Sequence, residues 1–354
     1  MSRQPSRLLI IKLSALGDIV QTLPVLHAFK QSWPQCSIDW ITGEVGASLL
    51  EGHPLIERVF VYPRRRLGRL AKSPLSWPRL AQELAGLRKR LSSRNYDLAV
   101  DFQGLFKSGI IALLSGAKTR AGFDKAREFS HLFLNKKIPP YNPDRHAVLR
   151  YLDLARAVGA AEVEPKFLVP LTEKDKNEAR QLLDSLGIKP ERFVVLIPGT
   201  VWPTKRWVNA SFAQVATLIH KELGLESVIV GASGDNHLGQ EIERLSGGRA
   251  RNITGRTSLK TLSALFTMAV TGVSTDTGPM HLAAATGLPI VAIFGPTAPW
   301  RTGPFGRGHI VLRKKLDCSP CFKRNCSHNS CMKAVDAQEA FDAVKELCKT
   351  RFFK

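Results

Sequence analysis

Leu8-Leu9-Ile10-Ile11-Lys12-Leu13-Ser14-Ala15-Leu16-Gly17-Asp18 is the stretch that decides the fold. A short aliphatic run leads through a small-residue turn with one glycine into a helical pattern from Ile19. A strand that feeds a helix in this way is the opening unit of a parallel sheet. Further strands are expected near residues 38–41, 58–62 and 98–101, with helical patterns between and after them. One of these, residues 146–158, has apolar residues at helical spacing and Gly159 as a stop. The alternation resumes with strands near 193–197, 227–230, 270–273 and 290–294, each running into a loop rich in Gly, Ser or Thr. The fold class is therefore α/β with parallel sheets and crossover helices. At 354 residues the chain exceeds one ordinary core, and the less regular segment 160–171, with Pro165 and Pro170, marks a boundary. The expected domains are 1–170 and 171–335, with a C-terminal helix over 336–354 packing back on the N-terminal domain. Ligands of open α/β sheets sit beyond the carboxyl ends of the strands, so two such domains facing each other gather their loops around one cleft.

Composition narrows the partners. The apolar share of 44% and charged share of 23% are those of a globular chain. Lys and Arg number 51 against 30 for Asp and Glu, a net charge of +21, which favours an anionic partner. No helix-turn-helix, zinc-finger or RNA-binding signature accompanies that charge, so nucleic acid is not the expected partner. The N-terminal apolar run is too short and too charged for a signal peptide, and the longest apolar stretch, residues 282–294, is cut by Gly287 and Pro289. A cytoplasmic location is expected.

Three loops could carry chemistry. At residues 12–18 the single glycine, Gly17, and a helix start suit an anion, but the three-glycine dinucleotide fingerprint is missing, so neither nicotinamide nor flavin is expected. Asp18 is either a cap of the following helix or a general base. Pro198-Gly199-Thr200, at a strand end, precedes Trp202-Pro203-Thr204-Lys205-Arg206-Trp207, where Lys205 is either a solvated charge or a contact to a diphosphate. Gly272-Val273-Ser274-Thr275-Asp276-Thr277-Gly278-Pro279-Met280-His281 ends a strand and opens a helix. A carboxylate beside an anion site is costly unless it accepts hydrogen bonds from a polyhydroxylated group, so Asp276 either caps the helix or holds a sugar. Phe294-Gly295-Pro296-Thr297 repeats the strand-then-glycine pattern.

Leu13-Ser14-Ala15-Leu16-Gly17-Asp18 with Thr22-Leu23-Pro24, Ser274-Thr275-Asp276-Thr277-Gly278 with His281, and Phe294-Gly295-Pro296-Thr297 together resemble the family 9 glycosyltransferases, the lipopolysaccharide heptosyltransferases. The likeness runs from residue 8 to about residue 335. It implies the GT-B fold, two Rossmann-like domains facing across a cleft. It implies inverting, metal-independent transfer of a heptose from ADP-heptose to the lipopolysaccharide inner core, Kdo-lipid A or heptosyl-Kdo-lipid A. By this match Asp18 is the base and Lys205 the phosphate contact, while Asp276 holds sugar hydroxyls and Thr277, Gly278 and His281 surround the diphosphate. Gly17, Thr200 and Thr204 are counted with the donor loops. Asp235 is the nearest candidate for an acid on the nucleotide ribose, with a loop residue or helix cap as its other reading. No resident cofactor or metal is implied. A sugar-nucleotide epimerase of the same fold, or a transferase of another nucleotide sugar, is the rival reading.

Ten bases, Arg64, Arg65, Arg66, Arg69, Lys72, Arg79, Arg88, Lys89, Arg90 and Arg94, stand among leucines and Trp77 between residues 61 and 94, against one acid, Glu83. A solvated face is the ordinary reading of such a run. The composition also suits an anionic membrane surface, and the implied acceptor is phosphorylated and membrane-embedded. Arg64, Arg65 and Arg66 are therefore expected to dock the acceptor, with the enzyme peripheral on the inner face of the cytoplasmic membrane. Cys318, Cys321, Cys326 and Cys331 form a C-x2-C-x4-C-x4-C array that reads either as reduced structural thiols or as metal ligands.

Overall fold

In the computed structural model, which describes residues 4–352, the opening aliphatic run is strand β1 (Arg7–Ile11), with Leu8 to Ile11 wholly shielded from solvent. Parallel strands covered on both faces read as unbroken apolar runs, and this one does. It lies in a six-stranded sheet with β2 (Ser37–Thr42), β3 (Arg58–Val61), β4 (Leu98–Asp101), β5 (Thr119–Phe123) and β6 (Lys136–Ile138), in the order β3-β2-β1-β4-β5-β6. Every neighbouring pair is parallel. A second six-stranded sheet joins β7 (Phe193–Ile197), β8 (Glu226–Ile229), β9 (Ala250–Asn252), β10 (Thr271–Thr275), β11 (Ile290–Ile293) and β12 (Ile310–Leu312), in the order β12-β11-β10-β7-β8-β9, again all parallel.

Both sheets are doubly wound in the Rossmann manner, as expected. The chain divides into two compact units, Met1–Pro170 and Leu171–Lys354. Strands β6 and β9 escape a sequence reading because each is a three-residue edge strand, Lys-Lys-Ile and Ala-Arg-Asn, without an apolar run. In each sheet the strand order reverses at one place, between β1 and β4 in the first and between β7 and β10 in the second. Loops part in opposite directions at such a switch point and leave a crevice beyond the strand ends.

The C-terminal helix, Ala337–Phe352, belongs to the second unit. Its Ala340, Phe341, Val344, Leu347 and Cys348 enter the core of that unit beside Val194, Phe212 and Val273. Their spacing forms one apolar stripe, and that stripe covers β10, β11 and the helix Asn209–Leu218. Among the described residues no helix is long and apolar enough to cross a membrane.

Candidate active site

In the first unit the switch point collects Lys12, Asp18 and the residues that follow β4. Lys12 leaves β1 almost completely buried. Its ammonium donates to the Phe102 carbonyl at 3.0 Å and to the Tyr151 hydroxyl at 2.7 Å. Burial pulls the Lys12 ammonium below its usual range, against the opposing charges of Asp18 and Asp101. The Tyr151 hydroxyl donates in turn to Asp18 Oδ1 at 3.3 Å, and burial raises that phenol well above its ordinary value. Asp18 sits in the helix Leu16–Thr22, where Oδ2 accepts the Ala15 N–H at 3.1 Å. The carboxylate therefore caps the helix with one oxygen and meets Tyr151 with the other, so the two readings of Asp18 are compatible. Gln103 ties the loop down, its Oε1 accepting the N–H groups of Leu13 and Ser14 at 2.9 and 3.0 Å. Buried Asp101 accepts from Gln103 N, Gly104 N and the Ser108 hydroxyl, which keeps the start of the next helix in place.

A cavity of about 250 Å³ opens here, lined by Asp18 and by Lys12, Lys125, Arg127, Arg150 and Tyr151 among others. Arg150 lies 4.5 Å over the Tyr141 ring, and its buried Nε has no hydrogen-bond partner among the described residues. Sequence reading misses these cations. Lys125 and Arg127 follow β5, while Arg150 and Tyr151 ride on the helix Ala147–Ala157. No local pattern connects those segments; parallel sheet order does.

In the second unit the loops after β7 and β10 meet. Lys205, in the turn Pro203–Lys205, pairs with Asp276 Oδ2 at 2.7 Å, and both side chains are largely buried. The same oxygen accepts the Thr297 hydroxyl at 2.6 Å, and the Thr200 hydroxyl donates to the Asp276 carbonyl at 3.1 Å. Three strand-end loops are thereby pinned on one aspartate. Lys205 also stands 4.5 Å over the Trp202 ring. Thr277 stands at the N-cap position of the helix Gly278–Ala285 without a side-chain capping bond, the first turn carries Pro279, and His281 is buried on the helix. Asp235 accepts the Ala232 N–H at 3.1 Å, as a turn residue would, and lies against Gly199 so closely that a Cβ there would stand 2.4 Å from its Oδ2. The glycine after β7 is required for that approach. The Thr204 hydroxyl donates to the Lys323 carbonyl at 2.8 Å, so it holds the cysteine-bearing loop.

That loop is tied to the segment that follows β11. Cys321 N donates to the Pro296 carbonyl at 3.1 Å and the Ser319 hydroxyl to that of Gly295 at 2.5 Å. Cys318, Cys321, Cys326, Cys331 and His328 line a cavity of about 240 Å³ beside Thr204, and all the thiols are free. Among the described residues no three His, Cys, Asp or Glu stand close enough to hold a metal ion.

The basic segment divides. Arg64, Arg65 and Arg66 open the helix Arg64–Leu70 and lie towards solvent, Arg66 pairing with Glu83; none of the three lines the Asp18 cavity. Arg94 is different from the other bases of the run. It is buried and donates to Asp39 at 2.9 Å and to Glu57, while the Tyr96 hydroxyl donates to the same Asp39 oxygen at 2.7 Å. It belongs to the core.

Residues 84–332 match the family described as Glycosyltransferase family 9 (heptosyltransferase). Lipopolysaccharide heptosyltransferase 1 of Pseudomonas aeruginosa is 30% identical, over 98% of this chain and 94% of that one. The crystal structure of a family 9 glycosyltransferase from Veillonella parvula has the same fold, with a TM-score of 0.83 at 21% identity over 98% of this chain and 97% of that one. The Escherichia coli heptosyltransferase WaaC, solved with ADP, is 26% identical with a TM-score of 0.76, over 96% of this chain and 99% of that one. The GT-B expectation holds. This chain is a glycosyltransferase and belongs to glycosyltransferase family 9, the heptosyltransferases.

Proposed function

We propose that the enzyme transfers a heptose from ADP-heptose to the inner core of lipopolysaccharide, Kdo-lipid A or heptosyl-Kdo-lipid A, with inversion, without a metal, and at the cytoplasmic face of the inner membrane. The observation that carries this reading is the charge arrangement at the two switch points. One holds a carboxylate, Asp18, beside a cation-lined cavity; the other holds a cation, Lys205, beside a helix N-terminus. The names of the relatives support the donor and acceptor classes, and family membership favours transfer over epimerisation.

In the proposed reaction the acceptor hydroxyl attacks the anomeric carbon as the bond to the diphosphate breaks on the opposite face, through an oxocarbenium-like transition state. The hydroxyl proton passes to Asp18. Negative charge growing on the diphosphate meets Lys205 and the N-terminal end of the helix Gly278–Ala285, which supply the positive end that the departing group needs. Asp276 holds Lys205 and faces sugar hydroxyls. Asp235 lies beside Gly199, near enough to that loop to serve the ribose. The cavity cation Arg150 receives the anionic groups of the acceptor, with Lys125 and Arg127 exposed at the cavity's rim and Arg64, Arg65 and Arg66 outside it.

Turnover of ADP-heptose on truncated lipopolysaccharide, with Asp18→Ala beside the parent and chelator present throughout, tests the proposal. The variant is expected to lose about 10²- to 10⁴-fold in kcat while still binding ADP-heptose. An intact kcat would reduce Asp18 to a helix cap, and ADP release without acceptor would favour the epimerase.

A further inference from the structure

The loop that supplies Lys125, Arg127 and Ser130 to the Asp18 cavity has a second, outward face. Phe129 and Leu132 are each 68% exposed on it, with Phe106 beside them at 49%. Single exposed apolar residues are ordinary, but these three belong to one packed pair of elements. The turn Arg127–Phe133 lies on the helix Phe106–Leu114. Phe133 meets the Phe106 ring edge-on at 5.3 Å, and the Phe106 N–H donates to Glu128 Oε2 at 3.2 Å. The contact is close enough that a Cβ on Gly109 would stand 2.5 Å from the Phe133 ring and 2.9 Å from the Ser130 carbonyl.

The backbone of the turn is unusual. Glu128 and Phe129 have φ of 53° and 58°, left-handed conformations that non-glycine residues avoid. Two in succession turn an aromatic ring out to solvent, an arrangement that folding alone does not reward. Cations accompany the projection. Exposed Lys125 and Arg127 precede it in the chain, and Lys107 follows Phe106. Burial, and then the nearby charge of Arg64, lowers the Lys107 ammonium, with Glu128 opposing. A basic rim around exposed aromatic and aliphatic residues complements an anionic bilayer, where headgroups meet the charges and the interface takes the rings.

We infer that Phe129, Leu132 and Phe106 form a wedge that inserts into an anionic lipid bilayer, with Lys125, Arg127 and Lys107 on the headgroups. The inference deepens the proposed action on a lipid-anchored acceptor and rests on that reading. It adds a geometry to it: one loop faces lipid outside and the Asp18 cavity inside, so insertion brings that cavity to the level of the headgroups.

The test is sedimentation of the full chain with phosphatidylethanolamine vesicles, with and without phosphatidylglycerol. The parent should bind when phosphatidylglycerol is present, and Phe129→Glu/Leu132→Glu should cut that binding by about tenfold or more while transfer to a soluble, lipid-free acceptor is unchanged. Phe129→Trp keeps the projection apolar and guards against misfolding of the double variant. Its emission, taken as the difference from the parent, should shift to the blue on the same vesicles and stay put without phosphatidylglycerol. Vesicle binding that survives the double variant, or a difference emission from Phe129→Trp that is indifferent to lipid, overturns the wedge. Binding is read without turnover, so failure of every lipopolysaccharide acceptor in the transfer assay would reject the proposed function and leave the wedge to be judged on its own.

Discussion

Tyr151 meets two residues of the opening loop from which it is far removed in sequence. Its hydroxyl accepts from buried Lys12 and donates to Asp18 Oδ1, so the rotamer of the carboxylate depends on a phenol on a distant helix. A hydrogen bond to a charged group contributes about 1.5–3 kcal/mol. Tyr151→Phe is accordingly expected to lower kcat by about tenfold or more, with the KM for ADP-heptose little changed. A variant that instead raised donor KM at constant kcat would place Tyr151 outside the role of holding the base. His53 gives a second residue-scale expectation, for stability. Burial pushes its imidazole down from 6.5 to about 4. Above pH 6.5 it is neutral in folded and unfolded chains alike. As pH falls from 6.5 towards 4 the unfolded chain takes the proton first, so stability is lost across that window, by up to about 3 kcal/mol. Melting curves between about pH 7 and pH 4 should show the decline, and His53→Gln should flatten it.

At the scale of elements, one basic stretch of sequence serves two ends. The helix Trp77–Ser92 carries Arg79, Arg88, Lys89 and Arg90 exposed, whereas Arg94, just beyond it, turns into the core to meet Asp39 and Glu57. Removing one partner of a buried pair strands the other charge, at about 3–5 kcal/mol. Arg94→Ala should therefore depress the melting temperature strongly with little effect on acceptor KM in the surviving enzyme. Neutralising Arg64, Arg65 and Arg66 together should do the reverse, raising acceptor KM and sparing both stability and donor KM. Equal loss of donor and acceptor affinity would show that the helix Arg64–Leu70 has no acceptor role. The residue types are identical, and only the element that carries each one separates them.

At the scale of the molecule, each unit completes its own core. The second does so with the last helix of the chain, where Phe341 is fully buried among residues of the second sheet. Phe341→Ala is expected to destabilise the second unit by about 3–5 kcal/mol through the cavity it leaves. Hydrogen exchange followed by peptide should show faster opening across β10 and β11 while β1 and β4 keep their protection. Uniform loosening of both sheets would mean that the two units unfold as one.

What the sequence determined by itself is local and periodic. The buried runs of β1 and β7, the helix Ala147–Ala157 with its boundary near Gly159, and the small-residue loops at strand ends are written in consecutive residues, because burial on both faces of a parallel strand demands an unbroken apolar run. The loop motifs carrying Asp18, Lys205 and Asp276 were legible for the same reason. Pairing was not. That Lys205 rests on Asp276, that Tyr151 reaches Asp18, that Arg94 is buried while Arg64 is exposed, and that Lys125, Arg127 and Arg150 share a cavity are products of tertiary packing, which brings distant segments together. A single side chain records nothing of its neighbour across the sheet, and the energy of a charge depends on what stands within a few ångströms of it. Only the tertiary structure supplies those distances.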